Sequence, residues 1–233
     1  MKRLQLIVLL LNLLLAACST ESIKRTEAII PDPSAVIGGS SSATLYTTTK
    51  EKAWTAIGQL FRVPDEHPYL TKAGFYCRES YSWYGEKTDL KLVLRISKWD
   101  GQKPEGEPIL VSMPANIKKD IKVEWIYFDI SHLKLDSNNT YVAWLSLVGQ
   151  GNPVNSSIGI LEMRPHTSSP PPNSGNRNEW QPNKWTTDYS QGNMVMWDQP
   201  NPDQKIEPMT KSSWRQESIG TNTRFTMHFE NIP

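Results

Sequence analysis

The side chains that could do chemistry in this 233-residue chain are its nine Trp, four His, two Cys and a scatter of carboxylates. Trp180, Trp185, Trp197 and Trp214 sit in or beside polar stretches rich in Pro, Asn and Gln, where a large apolar ring is hard to bury. Flat aromatic faces beside amides and carboxylates suit sugar rings, which offer C–H faces and hydroxyls together. The four are therefore candidate glycan contacts, and their other role would be to roof the fold as loop anchors. Trp54, Trp125 and Trp144 lie in apolar runs and are expected in the core. His67, His132, His166 and His228 show no ligand spacing, so no metal is assigned. Asp89, Glu124 and Asp129 are the residue types of a glycosidase pair, but sequence does not set the required separation of about 5 to 10 Å. No catalytic residue is assigned on that basis. A G-x-S-x-G elbow, a P-loop and a Rossmann glycine set are all missing from the sequence, and no cofactor is expected. Cys77 follows Phe75-Tyr76 in an apolar run and reads as a buried, inert thiol.

Cys18 stands in a different context. Met1-Lys2-Arg3 supplies a positive start, and Leu4 to Leu15 is apolar except for Gln5 and Asn12. As a helix that run spans roughly 18 Å, too short for a hydrocarbon core of about 30 Å. It reads as an export signal. Its end, Leu15-Ala16-Ala17-Cys18, resembles the lipobox of bacterial lipoproteins. That resemblance implies cleavage before Cys18 and a diacylglyceryl group on its sulfur. One acyl chain anchors weakly and two or three anchor firmly, at about 0.8 kcal/mol per buried CH₂. In the same family Asp after the Cys usually marks inner-membrane retention, so Ser19 implies the outer-membrane class. Residues 1–17 are then a signal peptide. Their loss removes Lys2 and Arg3 and leaves 23 basic against 24 acidic side chains. With no polybasic patch, membrane attachment must rest on lipid. The whole chain's net charge of +1 likewise gives no footprint for nucleic acid.

Residues 18–42 are polar and small, with Pro31, Pro33 and Gly38-Gly39-Ser40-Ser41-Ser42, and are expected to form a lipidated, flexible tether. From residue 43 to 233 the hydrophobic period becomes two. Leu90, Leu92, Leu94 and Ile96 alternate with Lys91, Val93, Arg95 and Ser97, and Phe225, Met227 and Phe229 alternate with Arg224, Thr226 and His228. Further strands are expected over Ala53 to Val63, Leu70 to Cys77, Ile109 to Met113, Val123 to Ile130, Tyr141 to Val148 and Ile158 to Met163. Asp100-Gly101 and Asp136-Ser137-Asn138-Asn139 supply turns. No segment of twelve or more residues carries the apolar spacing of an amphipathic helix. The expected class is all-β, a single two-sheet sandwich. Ten of the seventeen Pro lie beyond position 150, which predicts long loops over Pro165 to Lys184 and Asp198 to Lys211.

The order Ile57 to Pro64, Leu90 to Ile96 before Trp99-Asp100-Gly101, and Leu135 to Tyr141 followed by Val142-Ala143-Trp144-Leu145 resembles jelly-roll modules of bacterial surface proteins. Many of those are built like galactose-binding or carbohydrate-binding domains. The likeness spans about residues 43 to 163, with Phe225 to Phe229 as a closing strand. It implies a jelly-roll-like fold more than any ligand, and the partner expected on the whole reading is a glycan or an envelope protein. Such modules often carry a structural calcium, but Asp100 and Asp136 are read here as turn residues. The expected function is a non-catalytic binding module on an outer-membrane lipoprotein. A carbohydrate-active enzyme and a structural component of an envelope complex are the alternatives.

Overall fold

A computed structural model describes residues 25–31, 42–47, 54–79, 88–154, 156–163, 191–199, 205–217 and 221–231. Within them the chain forms β1 (Glu27–Ile30), β2 (Ser42–Tyr46), β3 (Ala56–Arg62), β4 (Tyr69–Glu79), β5 (Leu90–Trp99), β6 (Pro104–Val111) and β7 (Ala115–Ile117). There follow β8 (Val123–Lys134), β9 (Thr140–Ser146), β10 (Ser157–Met163), β11 (Met194–Trp197), a helical turn α1 (Glu207–Lys211), β12 (Arg215–Gln216), β13 (Asn222–Thr223) and β14 (Phe225–Glu230). The fold is an all-β sandwich of two seven-stranded sheets, an architecture consistent with jelly-roll-like folds.

In the first sheet β4 is central. Its length lets one edge pair with β8 while the other pairs first with β14 and then with β10. β1 lies outside β14, and β10 also carries β2 and β13. The second sheet runs β12, β11, β3, β9, β5, β6, with β7 also on β5. All of these pairings are antiparallel, so residues two apart share a face.

That period puts Phe75, Phe128, Phe225 and Phe229 of the first sheet and Ile57, Phe61, Leu94 and Leu145 of the second into one core. Phe61 meets Phe229 across the sheets at 6.1 Å and stacks on Tyr141 at 5.8 Å. A polar clamp joins the sheets within this interior. Gln59 Nε2 donates to Asn222 Oδ1 at 2.7 Å and to the Leu60 carbonyl at 3.0 Å. Gln59 Oε1 accepts from the Thr223 N–H at 2.8 Å and its hydroxyl at 3.1 Å. The amide's donors and acceptor are thus all used, which is the condition for a polar side chain to be tolerated at full burial.

The second sheet is covered on its outer face as well. There Leu60, Val142, Trp144, Val195 and Trp197 form a smaller core, roofed by Met209 of α1 and Trp214. Pro at the start and Glu207 in the first turn favour this one-turn helix, and the Trp214 indole donates to the Met209 carbonyl at 2.6 Å. Trp144 Nε1–H is held by Ser97 Oγ at 3.2 Å.

Three sequence expectations are corrected. Residues 18–42 do not form a tether throughout, because Glu27–Ile30 pairs with β14 from Glu230 to Met227. Edge pairing and the packing of Ala28 and Ile30 on the core supply what that polar composition lacks. The sandwich accordingly takes in residues N-terminal to position 43. The stretch Asp198 to Lys211 is not loop alone, since it contains α1. Trp125 is not in the core, as described below.

The expected turns are present. Asp100 Oδ1 accepts from the N–H groups of Gln102 and Lys103, both at 2.8 Å, beside Gly101 at φ 104°. Asp136 Oδ1 accepts from the Asn138 N–H at 2.9 Å, and the Asp136 N–H donates to the Tyr141 hydroxyl at 2.9 Å. Among the described residues no helix is long and apolar enough to cross a membrane.

Candidate functional site

The outer face of the first sheet carries an aromatic and cationic cluster assembled by register. β8 turns Ile126, Phe128 and Ile130 inward, so Trp125, Tyr127 and Asp129 must face outward. Their partners on β4 are Tyr76 opposite Trp125, Gly74 opposite Tyr127 and Lys72 opposite Asp129. On β14 the outward residues are Thr226, opposite Gly74, and His228, opposite Lys72, with Arg224 just before the strand. Ile29 of β1 lies opposite His228.

Gly74 of β4 stands opposite Tyr127. With no side chain there, the Tyr127 ring leans across β4: a Cβ at position 74 would stand 2.7 Å from Tyr127 Cε1 and 2.8 Å from Thr226 Cγ2. Trp125 and Tyr127 lie with ring planes 20° apart and centroids 5.8 Å apart, and Tyr76 meets Trp125 at 5.2 Å. The resulting pocket of about 310 Å³ has Trp125 and Tyr127 on one side and Ile29 and Pro31 on the other, with Arg224, Phe225, Thr226 and His228 between. That is the low end of the size range of small-molecule sites.

Basic side chains pack on these rings. The Arg224 guanidinium stacks 4.2 Å from the Tyr76 centroid and 5.9 Å from that of Trp125. Lys72 Nζ lies 5.3 Å from the Tyr127 centroid and 3.9 Å from Asp129 Oδ1. His228 Nδ1 is 2.7 Å from Glu27 Oε1 and so donates to it, leaving Nε2 toward Thr226 Oγ1 at 3.4 Å. A cluster of this kind can hold a ligand ring against the aromatics and hydrogen-bond its polar rim.

The residues singled out from sequence fall elsewhere. Trp197 and Trp214 are 1% and 5% exposed. Both belong to the smaller core, where the Trp197 indole donates to Ser212 Oγ at 2.7 Å and Trp214 packs edge-on against Trp99 and Trp144. They roof the sandwich, the other role read for them, and offer no open face to a sugar. Trp180 and Trp185 lie outside the described residues, as do Cys18 and His166. Trp144 is buried as expected, but in the smaller core. Trp54 is half-buried against the main one.

The three carboxylates are not brought together. Glu124 and Asp129 are five positions apart on β8, so they point to opposite faces about 16 Å apart along the strand. Glu124 lies opposite Cys77, and Asp89 pairs with Lys118 at 3.0 Å beside β5 of the other sheet. Among the described residues no group of three His, Cys, Asp or Glu could hold a metal. Cys77 is fully buried, and that burial, with the nearby Glu124 charge second, pushes its thiol pKa far up, so thiolate chemistry is suppressed.

Sequence reasoning missed Trp125, Tyr127, Tyr76 and Arg224. The available signal was the alternation of Trp125, Tyr127 and Asp129 with Ile126, Phe128 and Ile130, which places the rings opposite the core. No family model, no curated protein and no solved structure matches this chain.

Proposed function

We propose that this chain is an outer-membrane lipoprotein, anchored by acyl chains on Cys18, whose β-sandwich acts as a non-catalytic glycan-binding module. The anchor rests on the Leu15-Ala16-Ala17-Cys18 lipobox behind a short apolar run, and the outer-membrane assignment on Ser19. Binding rests on one observation, the groove in which Trp125 and Tyr127 stand beside Arg224, Thr226 and His228. Its aromatic wall can cover the C–H face of a sugar while the Thr, His and Arg groups meet ring hydroxyls. Among the described residues no carboxylate pair lines the groove: Glu27 is engaged by His228 and Asp129 by Lys72.

Each half has its own test. Cys18→Ser, or globomycin to block the lipoprotein peptidase, should release the protein from the membrane fraction, and a Cys18→Ser form that stays there refutes the anchor. On a glycan array the full-length protein should bind, and Trp125→Ala and Tyr127→Ala should each lose the signal. Retained binding in both variants refutes the groove.

One observation favours the envelope-partner alternative. β6 is a sheet edge on which Ile109 and Val111 are about half exposed, with Met113 just beyond it more so. An open edge with apolar side chains can accept a strand from another protein. Cross-linking in cells from a photoreactive residue at position 111 should then capture a partner, and its capture with no glycan binding would replace the first reading.

A further inference from the structure

Arg224 distinguishes this groove from a general sugar site. Its guanidinium carbon lies over the Tyr76 ring, 4.2 Å from the centroid, with the Trp125 centroid 5.9 Å away. Among the described residues it forms no ion pair, and its Nε is buried without a hydrogen-bond partner. The other basic groups around the groove already have acids: Lys72 has Asp129, and His228 has Glu27. A stacked guanidinium keeps its N–H edge available in the ring plane, and that edge matches a planar carboxylate with two parallel hydrogen bonds. Stacking also fixes the side chain in advance, so little entropy is lost when an anion arrives.

The geometry points to an acidic saccharide as the ligand, and we propose that a uronic-acid residue sits with its ring against Trp125 and Tyr127 and its carboxylate on the Arg224 edge. This rests on the glycan-binding reading and sharpens it. Thr226 Oγ1 and His228 Nε2 follow Arg224 on the same face of the sheet, where they meet hydroxyls of the sugar ring. The carboxylate of the ligand supplies the acid that Arg224, unlike Lys72, does not have beside it among the described residues. A neutral sugar would leave that cation facing an uncharged group and forgo the strongest bond the site offers.

The experiment compares acidic oligosaccharides of galacturonate, glucuronate and mannuronate with their methyl esters, which keep the shape and remove the charge. Full-length protein in detergent micelles is titrated by calorimetry with each, alongside Arg224→Gln, Arg224→Lys and Tyr127→Ala. At least one acid should bind about tenfold to a hundredfold more tightly than its ester, the span of one charge-assisted pair. Arg224→Gln should erase that difference, acid and ester then binding equally, whatever it costs the ester. Arg224→Lys should retain part of it, since the charge stays and the fork is lost. Tyr127→Ala should weaken acid and ester alike. The acid against ester comparison in the unaltered protein stands even where a variant fails to fold. Equal binding of acids and esters, or a preference unchanged in a folded Arg224→Gln, overturns the acidic-ligand proposal and spares glycan binding. Failure of every saccharide, neutral and acidic, on array and calorimeter overturns both.

Discussion

Tyr127 and Gly74 are register partners on β8 and β4, and the tyrosine ring occupies the volume that any side chain at position 74 would need. The glycine serves here through its missing Cβ, and its backbone stays in ordinary strand conformation. An aromatic laid across a strand glycine recovers packing that the glycine gives up. Gly74→Ala should therefore displace the ring. The expected cost is about 1–3 kcal/mol of stability, the usual range for overpacking, together with weaker glycan binding. Chemical denaturation checks the first and calorimetry the second. Adding Tyr127→Ala should recover part of the stability loss and none of the binding, a non-additivity that identifies the contact itself.

The Gln59 clamp makes a different kind of prediction, because it links the two sheets through fully buried groups. Gln59→Leu keeps the volume but strips the Thr223 N–H of its acceptor and Asn222 Oδ1 of this donor. An unsatisfied buried group costs about 1–3 kcal/mol. Denaturant unfolding should show a loss of that order with the slope against denaturant unchanged, since the folded state stays as compact. A loss near zero would mean that the pairing is replaced by water.

Arg95 is a buried cation that stability would be better without. It is 4% exposed, its guanidinium lies 5.0 Å from the Trp144 centroid, and its Nη1 has no hydrogen-bond partner. Burial pushes its pKa down to about 10. A folded value below the unfolded one means that at neutral pH the native state carries a penalty, relieved only as pH rises through that value. Stacking on Trp144 offsets part of it. Arg95→Met keeps most of the contact area and removes the charge, so its thermal midpoint should equal or exceed that of the unaltered protein. A clear drop would show that the charge is compensated.

The sheet pattern was legible wherever one face of a strand meets water. β14 and β8 alternate cleanly, and the expected strands at Leu70 to Cys77, Val123 to Ile130 and Phe225 to Phe229 all appear, each somewhat longer. β11 was not legible for the opposite reason. Met194 and Met196 enter the main core while Val195 and Trp197 enter the smaller one, so its four residues are all buried and no alternation exists to read. The same double burial takes in Arg95 and Ser97 of β5, which alternate with main-core residues and are themselves buried. β1 escaped notice because its order comes from β14, a partner about 200 residues away. The groove was hidden in plain alternation: an apolar look at Val123 to Ile130 assigns Trp125 to the core, whereas its parity with Tyr127 and Asp129 puts it outside.

Acid should expose two carboxylates that accept backbone N–H bonds. The Lys119 N–H, then the Lys118 ammonium, hold Asp89 below its ordinary value of 3.8. For Asp136 the Asn138 N–H does so first, followed by the Asn138 side chain. With folded pKa values beneath the unfolded ones, the unfolded chain binds protons first as pH falls. The stabilisation from both groups is therefore complete above the ordinary carboxylate range and is lost as pH drops through it and on through their lowered folded values. Asp136→Asn can keep the turn's acceptor while removing the charge. The difference in stability between the unaltered protein and this variant should be largest near neutrality and should shrink steadily below about pH 4. Asp89→Asn should behave alike, with the added loss of its Lys118 pair and therefore a stronger dependence on salt than Asp136→Asn, which loses only a longer-range attraction to Lys98. Carboxyl chemical shifts followed by NMR should place both titrations below that of an Asp without such partners; midpoints at or above the ordinary value would mean that these N–H groups hold the carboxylates no better than water does.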